Sequence, residues 1–171
     1  MPRKAGVVHF NKDTTTKLEK FPRVVDSMLN EEGIDLYNKV LSCAKKVYNS
    51  LGDCYREEIY TQALAMEIRD LGYTVETEVE CDVIYRDSII GKIRADLIAT
   101  GEEPFVIEAK RLDIYRGVMQ LIGYMRSKNI ELGYTIGFQK GSVGLWCVLR
   151  NDSVYLLYDG TSVREILRGG A

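Results

Sequence analysis

Apolar positions along this chain change their spacing from helical to alternating and back, and each change marks an element boundary. From Asp35 onward, Leu36, Val40, Cys43, Ala44 and Val47 recur at three- and four-residue steps until Gly52. That is the period of one helix face, with Asp35 as predicted N-cap and Gly52 as predicted stop. A second helix is predicted from about Tyr55 to Leu71, with Ile59, Ala63, Leu64, Ile68 and Leu71 inward, ending at Gly72. The period then drops to two. Thr74-Val75-Glu76-Thr77-Glu78-Val79-Glu80 alternates as a half-buried strand that runs on to Tyr85, before an Arg86-Asp87 turn. Strands are predicted over 89–99 and 105–109, then a helix over 114–127 with Val118, Leu121, Ile122 and Met125 on its apolar face. A buried strand over 132–138 and a hairpin of 143–149 with 154–158 around Asn151-Asp152 follow, with a last helical turn near 163–167. Residues 1–30 show weak periodicity, with a loop at Asp13-Thr14-Thr15-Thr16 and a breaker at Pro22, and residues 1–34 read as a leader. The order ααβββαβββ over 35–171 is that of one α/β domain.

Composition narrows the function classes. At 171 residues and 46% apolar content the chain can bury one full core. No apolar run reaches the roughly 18 residues of a membrane span, and Met1-Pro2-Arg3-Lys4 opens no signal peptide. Cys43, Cys54, Cys81 and Cys147 fall at unrelated spacings, which suits neither a disulfide framework nor a zinc site. An intracellular setting (cytoplasm, nucleus or virion) is therefore expected. His9 is the only histidine, so a Ser-His-Asp triad or a His-rich metal site is not expected, and there is no P-loop or G-x-G-x-x-G. The net charge of -2 hides an uneven distribution. Residues 1–25 carry Arg3, Lys4, Lys12, Lys17, Lys20 and Arg23 against Asp13 and Glu19, whereas acidic side chains far outnumber Arg56 and Arg69 between 53 and 82. Each segment alone reads as a solvated surface. The leader also suits a phosphate contact or, through Val7-Val8-His9-Phe10 and Phe21, an assembly contact.

The stretch RADLIATGEEPFVIEAK, residues 94–110, changes the picture. Two apolar runs flank a Gly-Glu-Glu-Pro bend, yet Asp96 starts one and Glu108 and Lys110 close the other. In an antiparallel hairpin centred on Glu102, Asp96 faces Glu108 across the ladder, where opposed Cβ atoms lie about 4.5–5.5 Å apart. A hard divalent cation relieves the repulsion of two carboxylates so placed. Strand period puts Lys110 on the face of Glu108, roughly 6.6–6.8 Å further along. Read singly, Glu108 and Lys110 fit a surface ion pair, and Asp96 fits a bend cap or a partner of Arg94. Taken together they suit metal-assisted attack on a phosphodiester.

Asp96, eleven residues, then Glu108-Ala109-Lys110 resembles the active-site signature of the PD-(D/E)xK nuclease superfamily. Further matching pieces are Leu51-Gly52, Glu57-Glu58-Ile59-Tyr60, Ala63-Leu64, Glu67, Arg94-Ala95-Asp96-Leu97-Ile98, and Gln120-Leu121 with Tyr124. They are similar to the GxxExxY branch over roughly residues 40–138. The resemblance implies a restriction-endonuclease-like αβββαβ core, with a central mixed sheet flanked by helices and, here, a C-terminal hairpin. It implies a Mg²⁺ or Mn²⁺ ion held by Asp96, Glu108, Glu57 and the Ala109 carbonyl. Lys110 would orient water and stabilise charge, and Gln120 would reach in from the next helix. One departure is Cys54, where the branch has the first glycine of GxxExxY.

The implied activity is hydrolysis of nucleic acid, with DNA expected over RNA. The competing reading is an inactive nuclease fold that binds nucleic acid or serves as an assembly component, viral or cellular. A homo-oligomer is compatible with either. The intact Asp96, Glu108 and Lys110 set favours the enzyme.

Overall fold

The structure, a computed structural model, describes residues 30–168. The leader therefore lies outside the described residues, apart from its last few positions. Those positions already belong to the first helix, α1 (Glu31–Leu51). It starts a turn before the predicted cap, because Asn30 accepts a hydrogen bond from the Gly33 N–H at 2.7 Å and Glu31 and Glu32 meet the positive helix end. Asp35 instead pairs with Lys39 at 2.8 Å, one turn along. Gly52 ends the helix as predicted, at φ +66°, a conformation that suits a residue without Cβ.

The second helix, α2 (Glu57–Asp70), buries Leu64 and Ile68 as expected, but its inward face is rotated from the one expected. Its buried side chains are Tyr60, Thr61, Leu64, Ala65 and Ile68, whereas Ile59 and Leu71 stay 46% and 39% exposed. Small Thr61 and Ala65 sit where the helix approaches its neighbours, and Tyr60 contributes the bulk. Lys46 of α1 and Glu67 of α2 pair at 2.8 Å along the edge of this helix layer.

Seven strands form one sheet in sequence order: β1 (Thr74–Tyr85), β2 (Ser88–Thr100), β3 (Phe105–Lys110), β4 (Leu132–Gln139), β5 (Ser142–Asn151), β6 (Val154–Tyr158) and β7 (Val163–Arg168). All neighbours are antiparallel except β3 and β4, which run parallel. Helix α3 (Ile114–Lys128) makes the crossover that a parallel pair requires. The last helical turn expected near 163–167 is instead β7, which pairs with β6 from Tyr158↔Val163 onward. A short apolar run does not tell strand from helix by its own period. The free edge of β6 decides the outcome.

Two apolar clusters lie on the two sides of the sheet. Helices α1 and α2 cover one, built on Leu97, Phe105, Ile107 and Tyr134, and α3 covers the other. Strands β3 and β4 are buried on both faces, as parallel strands under helices must be. This mixed sheet flanked by helices is consistent with the restriction-endonuclease-like layout. Among the described residues no helix is long and apolar enough to cross a membrane.

The β1–β2 ribbon changes faces partway along. Leu97 and Ala99 join the α1–α2 cluster, whereas Ala95 and Ile93 pack on the α3 side. Odd-numbered residues of a regular strand share one face. The exchange falls between the register pairs Thr77↔Leu97 and Val79↔Ala95, at Glu78 and Asp96. Glu78 takes φ +52° there. Asp96 thus sits where the ribbon turns over.

Candidate active site

The β2–β3 register, Leu97↔Ile107, Ile98↔Val106 and Ala99↔Phe105, is the one expected for a hairpin centred on Glu102. It brings Asp96 to the end of β3, where its Oδ2 accepts a hydrogen bond from the Ala109 N–H at 2.9 Å. Glu108, only 3% exposed, lies beside it. Lys110 Nζ stands 3.2 Å from Glu108 Oε1 and 3.9 Å from Glu57 Oε2, so the lysine bridges the β3 carboxylate and the first residue of α2. The other Glu57 oxygen accepts from the Arg111 N–H at 3.2 Å.

Burial makes these carboxylates reluctant to ionise. Glu108 is pushed up to about 8, chiefly by burial and then by the charge of Asp96, with Lys110 opposing both. Asp96 is raised as well, again by burial, against the Ala109 hydrogen bond and the neighbouring Glu108 and Lys110. Two adjacent carboxylates titrate as a pair. The less exposed Glu108 is the better seat for the proton.

From α3, Tyr124 faces the same place, and Gln120 lies one helical turn before it. Gln120 Oε1 and Glu108 Oε2 are both buried and hydrogen-bonded to nothing among the described residues. Burial first, then the nearby Glu108 and Asp96 charges, raise the Tyr124 hydroxyl well above its ordinary value. Orphaned oxygen acceptors beside a strained carboxylate pair are the donor set a hard cation takes, so the residues fit Mg²⁺ or Mn²⁺. No group of three His, Cys, Asp or Glu side chains among the described residues forms a ready-made cage. The carboxylate of Glu57 is engaged with Arg111 and Lys110. At Ala109 it is the N–H that is engaged in the site, through Asp96.

Sequence reading alone did not single out three supporting features. Arg111, directly after Lys110, donates from Nη1 to the Tyr60 hydroxyl and lies 5.1 Å above the Tyr60 ring. Tyr60, fully buried and stacked on Phe138, in turn donates to the Gly52 carbonyl. The Tyr60 hydroxyl thus ties the loop after α1 to the end of β3. Gly52 provides the positive-φ residue in a loop where Cys54 replaces the expected glycine, and Cys54 itself is exposed with a free thiol. Tyr60→Phe removes both bonds and leaves the Gly52 carbonyl short of a donor. Urea unfolding is expected to show a loss of about 1–3 kcal/mol. An unchanged midpoint and slope would remove this strut from the account.

Gly117 is the second feature. A Cβ there would stand 2.7 Å from Lys110 Cγ and 3.1 Å from Thr135 Cγ2. The glycine therefore lets α3 press against the aliphatic stem of Lys110. Gly117→Ala is expected to displace the lysine and slow any cleavage on the order of ten-fold or more, since sub-ångström placement matters to catalysis. A thermal melt run in parallel separates this from unfolding. Thr135, the third feature, is fully buried, with its Oγ1 unpartnered among the described residues.

Comparison with known proteins places the chain among others. The sequence profile of the family described as the PD-(D/E)XK nuclease superfamily matches residues 34–145, well over half of the 171 residues. No curated protein matches the chain. A solved structure titled "Crystal structure of SSO0001" is similar at 24% identity and a TM-score of 0.37, over 65% of this chain and 65% of that one. This protein thus spans slightly less than two thirds of that chain's length, and a likeness so weak carries no argument about function.

Proposed function

The chain belongs to the PD-(D/E)XK nuclease superfamily, and on that premise we propose that it is a divalent-metal-dependent nuclease cleaving phosphodiester bonds in DNA. Asp96, Glu108 and Lys110 are its proposed catalytic set. One observation carries the reading: Glu108 is buried at 3% exposure beside Asp96 and 3.2 Å from the Lys110 ammonium, with one carboxylate oxygen unpartnered among the described residues. A structural ion pair would not place a second carboxylate there, because like charges in a low-dielectric site raise the cost of both.

In this reading Asp96 and Glu108 would hold Mg²⁺ or Mn²⁺, with the Ala109 carbonyl and, on release from Lys110, Glu57 as the further ligands. A bound cation supplies Lewis acidity that draws charge from a phosphoryl oxygen. The chain's own groups do the rest. Lys110 offers three donors and a positive charge to the oxygens that gain charge in the transition state, and its half-dry setting strengthens that attraction. Its contact with Glu57 holds the ammonium over the cleft instead of letting it fall wholly onto Glu108. The Ala109 N–H fixes the Asp96 carboxylate in one orientation. Gln120 supplies a further polar group from α3. The Glu57 and Tyr60 pair, one helical turn apart and both engaged with Arg111, supports the narrower GxxExxY assignment.

The test is a cleavage assay on single-stranded, duplex and branched DNA and on RNA, with Mg²⁺, with Mn²⁺ and with chelator. Cleavage of DNA that needs added metal and is lost in Asp96→Asn supports the reading. Binding of nucleic acid without cleavage under any metal would favour the inactive-fold alternative.

A further inference from the structure

Between two glycines on one face of β4 sits a hydroxyl with nothing to bond among the described residues. Gly133, Thr135 and Gly137 share the α3 side of that strand. Cβ atoms added at the glycines would strike Leu121 and Met125, or Ile114 and Trp146. Helix α3 therefore lies close over β4, and Thr135 is the one residue of the three with a side chain. It is fully buried and its Oγ1 has no hydrogen-bond partner among the described residues. If only packing mattered, valine would fill the same volume without the cost of an unsatisfied buried hydroxyl.

Its position in the register is the second observation. Thr135 is the parallel partner of Glu108. Adjacent strands lie about 4.7–4.9 Å apart. Both side chains are on the α3 side, since Lys110, two residues from Glu108, and Thr135 meet the same point over Gly117. The Oγ1 of Thr135 and the Oε2 of Glu108, both buried and without a partner among the described residues, thus belong to register neighbours on the same side of the sheet. One is a donor and the other an acceptor.

We propose that Thr135 is a positioning residue for the metal-holding carboxylate. In the carboxylate that holds the metal, Oε2 accepts from the Thr135 hydroxyl, directly or through one water. This fixes the carboxylate plane and leaves its outward lone pairs for the cation. Thr135 touches neither substrate nor metal and acts only through Glu108. The inference rests on the proposed metal site, and its test separates the two.

Full-length wild type, Thr135→Val and Thr135→Ser are titrated with Mn²⁺ by calorimetry, and each is melted with and without the metal. Valine keeps the methyl and loses the hydroxyl, whereas serine does the reverse. Outer-shell partners of ligands are worth roughly ten- to hundred-fold in metal affinity. Thr135→Val should weaken Mn²⁺ binding by that factor and lose the metal-dependent rise in Tm. Thr135→Ser should bind like wild type even if its metal-free Tm falls. Equal binding by wild type and Thr135→Val overturns the Thr135 role alone. Equal weakening by serine and valine overturns it too, since the methyl would then be what matters. A wild type that takes up no Mn²⁺ at millimolar concentration overturns the metal site itself, and this role with it.

Discussion

Lys110→Ala is expected to cut the cleavage rate on the order of 10³-fold while leaving DNA affinity within about ten-fold of wild type. The split follows from where the ammonium stands. Lys110 is only 15% exposed, and its Nζ lies between Glu108 Oε1 and Glu57 Oε2, deep in the site and away from any outer binding surface. Its charge therefore counts most when charge builds on the phosphoryl oxygens, and little in holding a long polyanion. Lys110→Arg should not restore the rate. The guanidinium is a planar fork, not a compact ammonium, and the stem is already pressed against Gly117. Single-turnover rates at saturating metal, with circular dichroism to verify folding, provide the measurement. A mutant within a few-fold of wild type would remove Lys110 from the chemistry.

Metal-free protein should lose stability as pH rises from about 4.5 to 8, and Glu108→Gln should abolish most of that loss. Glu108 ionises at its ordinary value of 4.5 when unfolded but is held up to about 8 when folded. Between those values the folded state binds the proton more tightly than the unfolded chain does. Stability therefore falls with rising pH across the window and levels off above it. Asp96 shifts in the same direction and adds to the slope. The full effect is on the order of a few kcal/mol, shared across the coupled pair. Glu108→Gln removes the titrating group, so its urea midpoint at pH 8 should exceed that of wild type. The same change should eliminate Mn²⁺ uptake and cleavage. For wild type, metal must displace the proton, so affinity should rise with pH up to about 8 and binding should release protons to buffer. A flat wild-type profile would show that Glu108 is ionised in the folded protein throughout.

What could be read in advance was local in origin. The hairpin about Glu102 was legible because a short antiparallel bend fixes its own register once the apolar runs on both sides are known. From that register alone Asp96, Glu108 and Lys110 fall at one end of a ribbon. The helix stop at Gly52 was legible for the same kind of reason, a backbone conformation that one residue type adopts freely. Helix start and face were less so. Asn30 outcompetes Asp35 as the cap because its side chain reaches the Gly33 N–H, and α2 buries Thr61 and Ala65 instead of Ile59 because of what lies beneath it.

By itself, then, the sequence determined every element but the last, the hairpin register and the chemical identity of the paired carboxylates and lysine. These rest on interactions a few residues apart. Tertiary structure alone decided how dry the site is and who supports it. The turning-over of the β1–β2 ribbon at Asp96 needs two strands at once, and the conversion of residues 163–168 to strand needs the open edge of β6. Thr135 comes beside Glu108 only because α3 carries the chain over to a parallel strand, and Arg111 meets Tyr60 across a separation of 51 residues. Desolvation, the largest cause of the Glu108 shift, is a property of everything packed around a side chain, and no pattern along the chain encodes it.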